Sequence, residues 1–443
     1  MRLSIALTCA RVLLTSSGVS AHAILAKRLF GLSFTDVATT STVASTSIPH
    51  ATPSTTPTTG ATSTATTSVV PVTPSTKQKA TENKFWQTFE ARGVNLGNWL
   101  VLERWMDTAY YDDYSSAGTD EWTFCQTLGA DRCAEVLAQY WDDWITESDI
   151  SQVADLGYNL LRIPIGYWAL VPTTSDEPYV YSSQLEQMER VMSYASTLGL
   201  HVVFDIHGLP GSQNGKEHSG HAGPIDWFSD TNQKRSLSVV TAAMNFIYAS
   251  PYRSVIAALE IANEPNITTS SARSTYEKYL TSATKIVHSI NASMPIMFHD
   301  GFQGADSWSK FTKNSKDNYV VDVHEYFTAS TSNSISALSG ACQLAATRSK
   351  SSSKTPVFVG EFSVSVGGVY FDTITWRKQF YETQVQQYSR KGMAGSAFWS
   401  IKAFETNSST TQNNGWSVQA LADAGGITSD TWSLSNALTC PSS

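Results

Sequence analysis

Eight short apolar runs recur along the chain from about residue 85, each separated from the next by a longer stretch with helical spacing. In order they are RGVNLG (92–97), LLRIPIG (160–166), HVVFDIHG (201–208), VIAALEIANE (255–264), PIMFHD (295–300), VVDVHEYF (320–327), PVFVGEF (356–362) and GSAFWSIK (395–402). Runs that are apolar on both alternating faces suit strands of a parallel sheet covered by helices. The intervening stretches carry helix signals. SDISQVADLGYN (148–159) sets Ile150, Val153, Ala154 and Gly157 at helical intervals behind Ser148 as a cap, and SSQLEQMERVMSYASTLG (182–199) stops at Gly199. TWRKQFYETQVQQYSRKG (375–392) is expected to end in the same way at Gly392. Strand and helix alternating eight times predicts a (β/α)8 TIM barrel, an α/β fold whose usual length fits this region. No strand is followed by GxGxxG, which argues against an open doubly wound sheet.

The polar residues fall at the ends of the runs. Arg162 lies in the second, Asp205 and His207 in the third, Asn263 and Glu264 in the fourth, and Asp300 in the fifth. His324 and Tyr326, then Glu361, then Trp399 continue the series. In a barrel the C-terminal strand ends meet at one mouth, where sites of this fold are built. Glu264 and Glu361 each close a strongly apolar run, and two acids facing each other across a mouth can break a glycosidic bond: one protonates the leaving oxygen while the other attacks or activates water. Pro265 is expected to keep Glu264 extended at its strand tip. Burial by aromatic neighbours is expected to raise its pKa, as an acid catalyst requires. The 13 Trp and 18 Tyr supply faces on which sugar rings stack. Each residue also has a plainer reading: a single buried Glu can be a salt-bridged core group, Arg162 can pair with a core acid, and Trp399 can be barrel packing.

Other chemistries fit less well. There is no HExxH, and His207, His299 and His324 fall on different strands without carboxylate partners at metal-ligand spacing, so neither a metal nor another cofactor is expected. No GxSxG elbow is present, and in GLPGSQNGK (208–216) the glycines and Lys216 do not match a phosphate loop.

Composition divides the chain. Residues 1–23 have a basic start, an apolar stretch interrupted by Arg11 and the small-residue pattern Ala21-His22-Ala23, as in a secretory signal. Residues 24–82 form a Ser/Thr/Pro-rich linker that cannot bury enough apolar surface to order itself, and 83–443 form the barrel domain. These features predict a secreted protein. Near the N-terminus no run of about 18 apolar residues predicts a membrane span. The net charge of −8 is dispersed, so no basic stripe points to nucleic acid. Cys9 falls in the signal, leaving Cys125, Cys133, Cys342 and Cys440. Of the three pairings four cysteines allow, local Cys125–Cys133 and a C-terminal staple Cys342–Cys440 are favoured; free core thiols are the alternative. The sequons at Asn266, Asn291 and Asn407 fit secretion. Nothing in the sequence requires more than a monomer.

The ordered blocks RGVNLGNWLVLERW (92–105), WITESDI (144–150), LGYNLLRIPIGYW (156–168), DIHGLPGSQNG (205–215), EIANEPN (260–266), FHDGF (298–302), VHEYF (323–327), VGEFS (359–363) and AFWSIK (397–402) resemble the motifs of glycoside hydrolase family 5. Within it they are most similar to fungal exo-β-1,3-glucanases (glucan 1,3-β-glucosidases). The resemblance implies a retaining hydrolase of cell-wall β-glucan, secreted or wall-associated, with Glu264 as acid/base and Glu361 as nucleophile. It also implies substrate-holding roles for Glu103, Arg162, His207, Asn263, His324, Tyr326 and Trp399: Asn263 for the sugar 2-hydroxyl, Arg162 and Tyr326 for the nucleophile, Glu103 for the terminal glucose, Trp399 as its platform. Lys216 and Ala329 stand where the resembled enzymes carry two aromatic clamp residues, and VGEF and LERW replace VGEW and LEPW. WITESDI and ERWM also resemble β-1,6-glucanases of the family, so β-1,6-glucanase and transglycosylase activity stand as alternatives. An inactive wall-glucan-binding protein is a third.

Overall fold

The computed structural model describes residues 80–327, 337–343, 355–366, 373–404 and 414–440. The leader, the linker as far as residue 79, Ala329 and Asn407 lie outside the described residues. Eight parallel strands close into a barrel in chain order: β1 (Ala91–Asn95), β2 (Leu160–Gly166), β3 (His201–Gly208), β4 (Ile256–Glu260), β5 (Ile296–His299), β6 (Tyr319–Glu325), β7 (Val357–Phe362) and β8 (Met393–Phe398), with β8 paired to β1. All eight predicted runs form strands.

Alternation along each strand sorts side chains into two environments. Val202, Phe204 and Ile206 of β3 point outward into the main core, against helices such as Gln184–Leu198, Asp230–Ala249 and Ser270–Ile290. Val203 points inward, joining Trp86, Leu160, Met297, Val320 and Phe358 in a separate cluster at the N-terminal end of the barrel. Trp86, from the short helix Phe85–Thr88, stoppers that end: its indole Nε1 donates to the Ala257 carbonyl at 2.9 Å and its ring meets Phe358 edge-on at 5.3 Å. Farther along the same strands the inward positions are Arg162, Asp205, Glu260 and Asp322, all fully buried.

Several local expectations are corrected. The helix Glu147–Asp155 is capped by Thr146, not Ser148, through a reciprocal box with Asp149 that satisfies two first-turn donors. Helix Gln184–Leu198 does end at a left-handed Gly199, whereas Ile374–Tyr388 ends at Ser389, and Gly392 shapes the turn into β8. Between β5 and β6 there are only 3-10 turns, Ala305–Trp308 and Ser315–Asp317. Three of the four residues 301–304 at the start of this link, Gly301, Phe302 and Gly304, have positive φ, which no α-helix accommodates.

Cys125–Cys133 joins the helices Glu121–Leu128 and Ala130–Trp144 across Gly129, and Cys342–Cys440 fastens the C-terminal segment to the barrel. The second bridge spans 98 residues, a loop for which the chain-entropy account gives about 4–5 kcal/mol. Among the described residues, no helix is long and apolar enough to cross a membrane.

Candidate active site

The site is built around one guanidinium. Arg162 rises inside β2 and is fully buried, so its charge must be matched by neighbours. Its Nε donates to Glu260 Oε2 at 2.8 Å, its Nη1 to Glu361 Oε1 and Asn95 Oδ1 at 3.0 Å, and its Nη2 to Asn263 Oδ1 at 2.9 Å. Asp205 lies 3.1 Å away and Asp322 3.7 Å. Four carboxylates thus surround one cation, and burial pushes Glu260 well above the ordinary range, only partly offset by Arg162. Burial thus favours the neutral form of Glu260, which reduces the repulsion.

Glu361 reaches the mouth through an irregularity. Regular alternation puts Phe358 and Gly360 inward and Glu361 outward, but the β6–β7 register slips so that Val323 pairs with Val359 and His324 with Glu361. A bulge of this kind re-aims a side chain. Gly360 makes room for it: a Cβ there would fall 2.1 Å from Asp322 Oδ2, and its N–H donates to Asp322 Oδ1 at 2.6 Å. Glu361 then accepts from Tyr326 Oη at 2.8 Å as well as from Arg162.

Glu264 departs from expectation in two ways. β4 ends at Glu260, four residues early, and Glu264 sits in a bend with φ +42° instead of an extended strand tip. Gln213 fixes this bend from the β3 loop, its Nε2 donating to the carbonyls of Asn263 and His207 at 2.9 and 2.7 Å. The neighbours that govern Glu264 are histidines, not aromatic hydrocarbons. Burial pushes its pKa up, but His218, the His324 hydrogen bond and the charge on His324 outweigh burial and hold the carboxyl below its usual range. His324 is the counterpart: burial works against its charge, yet Glu361, Asp322 and Glu264 hold its pKa well above normal.

His324 Nδ1 lies 2.6 Å from Glu264 Oε1 and 3.3 Å from Glu361 Oε2. Because one nitrogen touches both acids, these two oxygens are no more than about 6 Å apart, inside the limit of about 6.5–9.5 Å that a water-activating pair needs and near the 5–5.5 Å of a pair that attacks directly. Its Nε2 faces Asp322 at 3.2 Å. On the opposite side the same device is repeated on β3, where Asp205 holds His207 Nδ1 at 2.6 Å and His207 Nε2 meets Asn263 Nδ2 at 3.3 Å.

Trp399 lies nearly parallel to His207, at 5.7 Å and 16°. Gly97 permits this placement, since a Cβ there would come within 2.8 Å of the indole. Glu103 is buried, accepts from Trp105 Nε1 at 2.9 Å, and is pushed well up by burial. Trp105, Trp416 and Tyr326 continue the aromatic wall at 5.0 and 5.4 Å. Lys216 and Phe302 are exposed beside this site, Phe302 packing on His299 at 4.7 Å.

All nine residues singled out for catalysis or sugar contact lie at the C-terminal end of the barrel. Asp300, in the same series, instead caps a turn by accepting from Phe302 N–H. Sequence reasoning missed Asn95, Gln213, His218, Glu260, Asp322 and Trp416. A D-x-H repeat in DIH (205–207) and DVH (322–324) was the available signal for Asp322. The view that the histidines lack carboxylate partners is also corrected: the fold brings donor atoms of Glu264, His299 and His324 within 4.8 Å of one another. Within that trio His324 Nδ1 and Glu264 Oε1 already bond to each other, an arrangement that does not suit a metal. His299 Nδ1 accepts from Gly301 N–H, which leaves the proton on Nε2 and no lone pair there to donate.

Residues 119–405 match the family described as cellulase (glycosyl hydrolase family 5). A probable glucan 1,3-β-glucosidase A of Aspergillus niger is 37% identical over 295 residues, covering 66% of this chain and 69% of the relative. One from Aspergillus clavatus is 37% identical over 59% of this chain and 61% of its own length, and glucan 1,3-β-glucosidase 1 of Schizosaccharomyces pombe is 38% identical over 54% and 58%. The matches therefore span roughly three-fifths to two-thirds of these relatives. The crystal structure of rutinosidase from Aspergillus niger superposes with a TM-score of 0.71 at 29% identity, covering 77% of this chain and 99% of that one. With a family match over more than half its length, and with its barrel and paired acids, the chain belongs to glycosyl hydrolase family 5.

Proposed function

We propose that the protein is a retaining glycoside hydrolase of β-glucan, acting on β-1,3 linkages from chain ends, secreted or held at a cell wall. The observation that carries this reading is the single histidine nitrogen in contact with both Glu264 and Glu361, since it holds the acids near the separation of a pair that attacks directly and below that of a water-activating pair. The relatives named as glucan 1,3-β-glucosidases support the substrate class.

In the first step Glu361 attacks the anomeric carbon. The glycosidic C–O bond breaks, its electron pair goes to the departing oxygen, and Glu264 supplies the proton. Arg162 and Tyr326 each donate a hydrogen bond to Glu361 and aim it. The free site holds its acidic proton on the short His324–Glu264 bridge. As Glu361 spends its negative charge on the new bond, His324 loses the partner that contributes most to its raised pKa, and the proton moves through Glu264 to the leaving oxygen. In the second step water attacks the glycosyl ester, Glu264 takes the water's proton, and Glu361 departs as carboxylate. Asn263 holds the sugar 2-hydroxyl, and Trp399 and Glu103 define the pocket for the terminal ring.

Glu361→Ala should abolish sugar release from laminarin while circular dichroism remains that of the wild type. Near-normal release by that variant would defeat the assignment.

A further inference from the structure

Glu264 is held on both carboxylate oxygens. His324 takes Oε1, and His218 Nε2 lies 3.3 Å from Oε2. His218 does not come from a strand. It sits in the one-turn 3-10 helix Glu217–Ser219 of the loop after β3, and that turn is well braced: Ser219 N–H and Oγ both donate to the Lys216 carbonyl, Gly220 N–H donates to the Glu217 carbonyl, and Ser219 Oγ meets Ser212 Oγ at 2.7 Å. The His218 side chain is only 17% exposed and packs on the His207 ring at 5.5 Å. Burial pulls its pKa below the ordinary value, against the pull of Glu264, and its Nε2 faces Oε2.

The groups around Glu264 divide the labour between its oxygens. His324 on β6 occupies Oε1 and also reaches Glu361 on β7, while His218 is the group beside Oε2. We propose that His218 is a positioning residue for proton donation: it aims Oε2 at the leaving oxygen and stabilises the carboxylate that forms there once the proton has gone. This rests on the hydrolase reading above. His218 itself exchanges no proton; as the proton received from His324 passes from Glu264 to the leaving oxygen, His218 Nε2, 3.3 Å from Oε2, closes on the carboxylate as a charge-assisted hydrogen bond.

The consequence is selective. A leaving group that cannot depart without a proton depends on His218, whereas one that is already a stable anion does not. The test measures kcat/KM on laminaribiose, whose departing group is a sugar alkoxide, and on dinitrophenyl β-glucoside, whose phenolate leaves unaided. Replacing a charge-assisted donor predicts that His218→Leu loses about 10- to 100-fold on laminaribiose. On the dinitrophenyl substrate it should change by no more than about threefold. His218→Gln, whose amide N–H can stand where Nε2 stands, should recover most of the loss. Equal losses on the two substrates, or no loss on laminaribiose in a folded His218→Leu variant, would overturn the proposal. Failure of the parent reading looks different: there the wild type itself, or Glu361→Ala, breaks the expected pattern.

Discussion

The two halves of the barrel interior use the same eight strands and the same two-residue alternation for opposite ends. Below, Trp86, Leu160, Val203, Met297, Val320 and Phe358 fill the space with hydrocarbon. One step up, Arg162, Asp205, Glu260 and Asp322 occupy equivalent inward positions, fully buried. The lower layer gains free energy from burial. The upper layer gains little net stability from buried ion pairs, whose desolvation offsets their attraction. What it supplies is a rigid, charged floor that fixes where Glu264 and Glu361 sit. The difference teaches that stability and chemistry are separated by height along the barrel axis, so substitutions in the two layers should fail in different ways.

The sharpest break of that comparison is Arg162→Met. It strips the cation from Asp205, Asp322 and Glu361 together, and leaving buried charges unpaired costs about 3–5 kcal/mol. Denaturant unfolding should report that loss, and activity should vanish even well below the melting temperature. Phe358→Ala, in the lower layer, should cost a similar 3–5 kcal/mol or so through lost burial and a cavity, but the molecules that remain folded should keep a near-normal kcat. If Phe358→Ala abolishes kcat while stability is intact, the division by height is wrong.

Gln213→Leu comes next. It frees the carbonyls of Asn263 and His207 that hold the Glu264 bend, and displacement of a catalytic group by about 1 Å costs about 10²-fold. Steady-state kinetics should show that loss chiefly in kcat. The smallest effect is one of pH. Glu121 is buried and accepts from Leu102 N–H and Trp168 Nε1, and burial raises its pKa from 4.5 to about 8. Below pH 4.5 both folded and unfolded states hold the proton. Between pH 4.5 and 8 only the folded state does, so this group lowers stability as pH rises through that window. Unfolding of Glu121→Gln between pH 5 and 8 should show a shallower fall by up to one proton's worth of slope, about 1.4 kcal/mol per pH unit.

The strands were legible because each is apolar on both faces, a pattern that only a covered parallel sheet demands. Glu264 and Glu361 were legible because a carboxylate at the end of such a run is costly unless used. The devices that aim them were not. Glu361 faces inward only because the β6–β7 register slips at Gly360, and a slip between two strands leaves no mark in the periodicity of one. Glu264 owes its position to a bend with positive φ and to Gln213, about fifty residues earlier in the chain. Its ionisation was misjudged for a similar reason: the histidines that set it come from β5, β6 and the β3 loop, and only folding assembles them. Polar residues beneath the mouth, such as Glu260 and Asp322, read as interruptions of apolar runs until Arg162 is seen to bind them all.

The most direct test of the paired-acid account is the configuration of the first sugar released. Proton NMR during the opening minutes of laminarin hydrolysis should show the β-anomer appearing first, with the α-anomer growing later by mutarotation. An initial burst of the α-anomer would mean that water attacks directly, and the close approach of Glu264 and Glu361 could not be the catalytic arrangement.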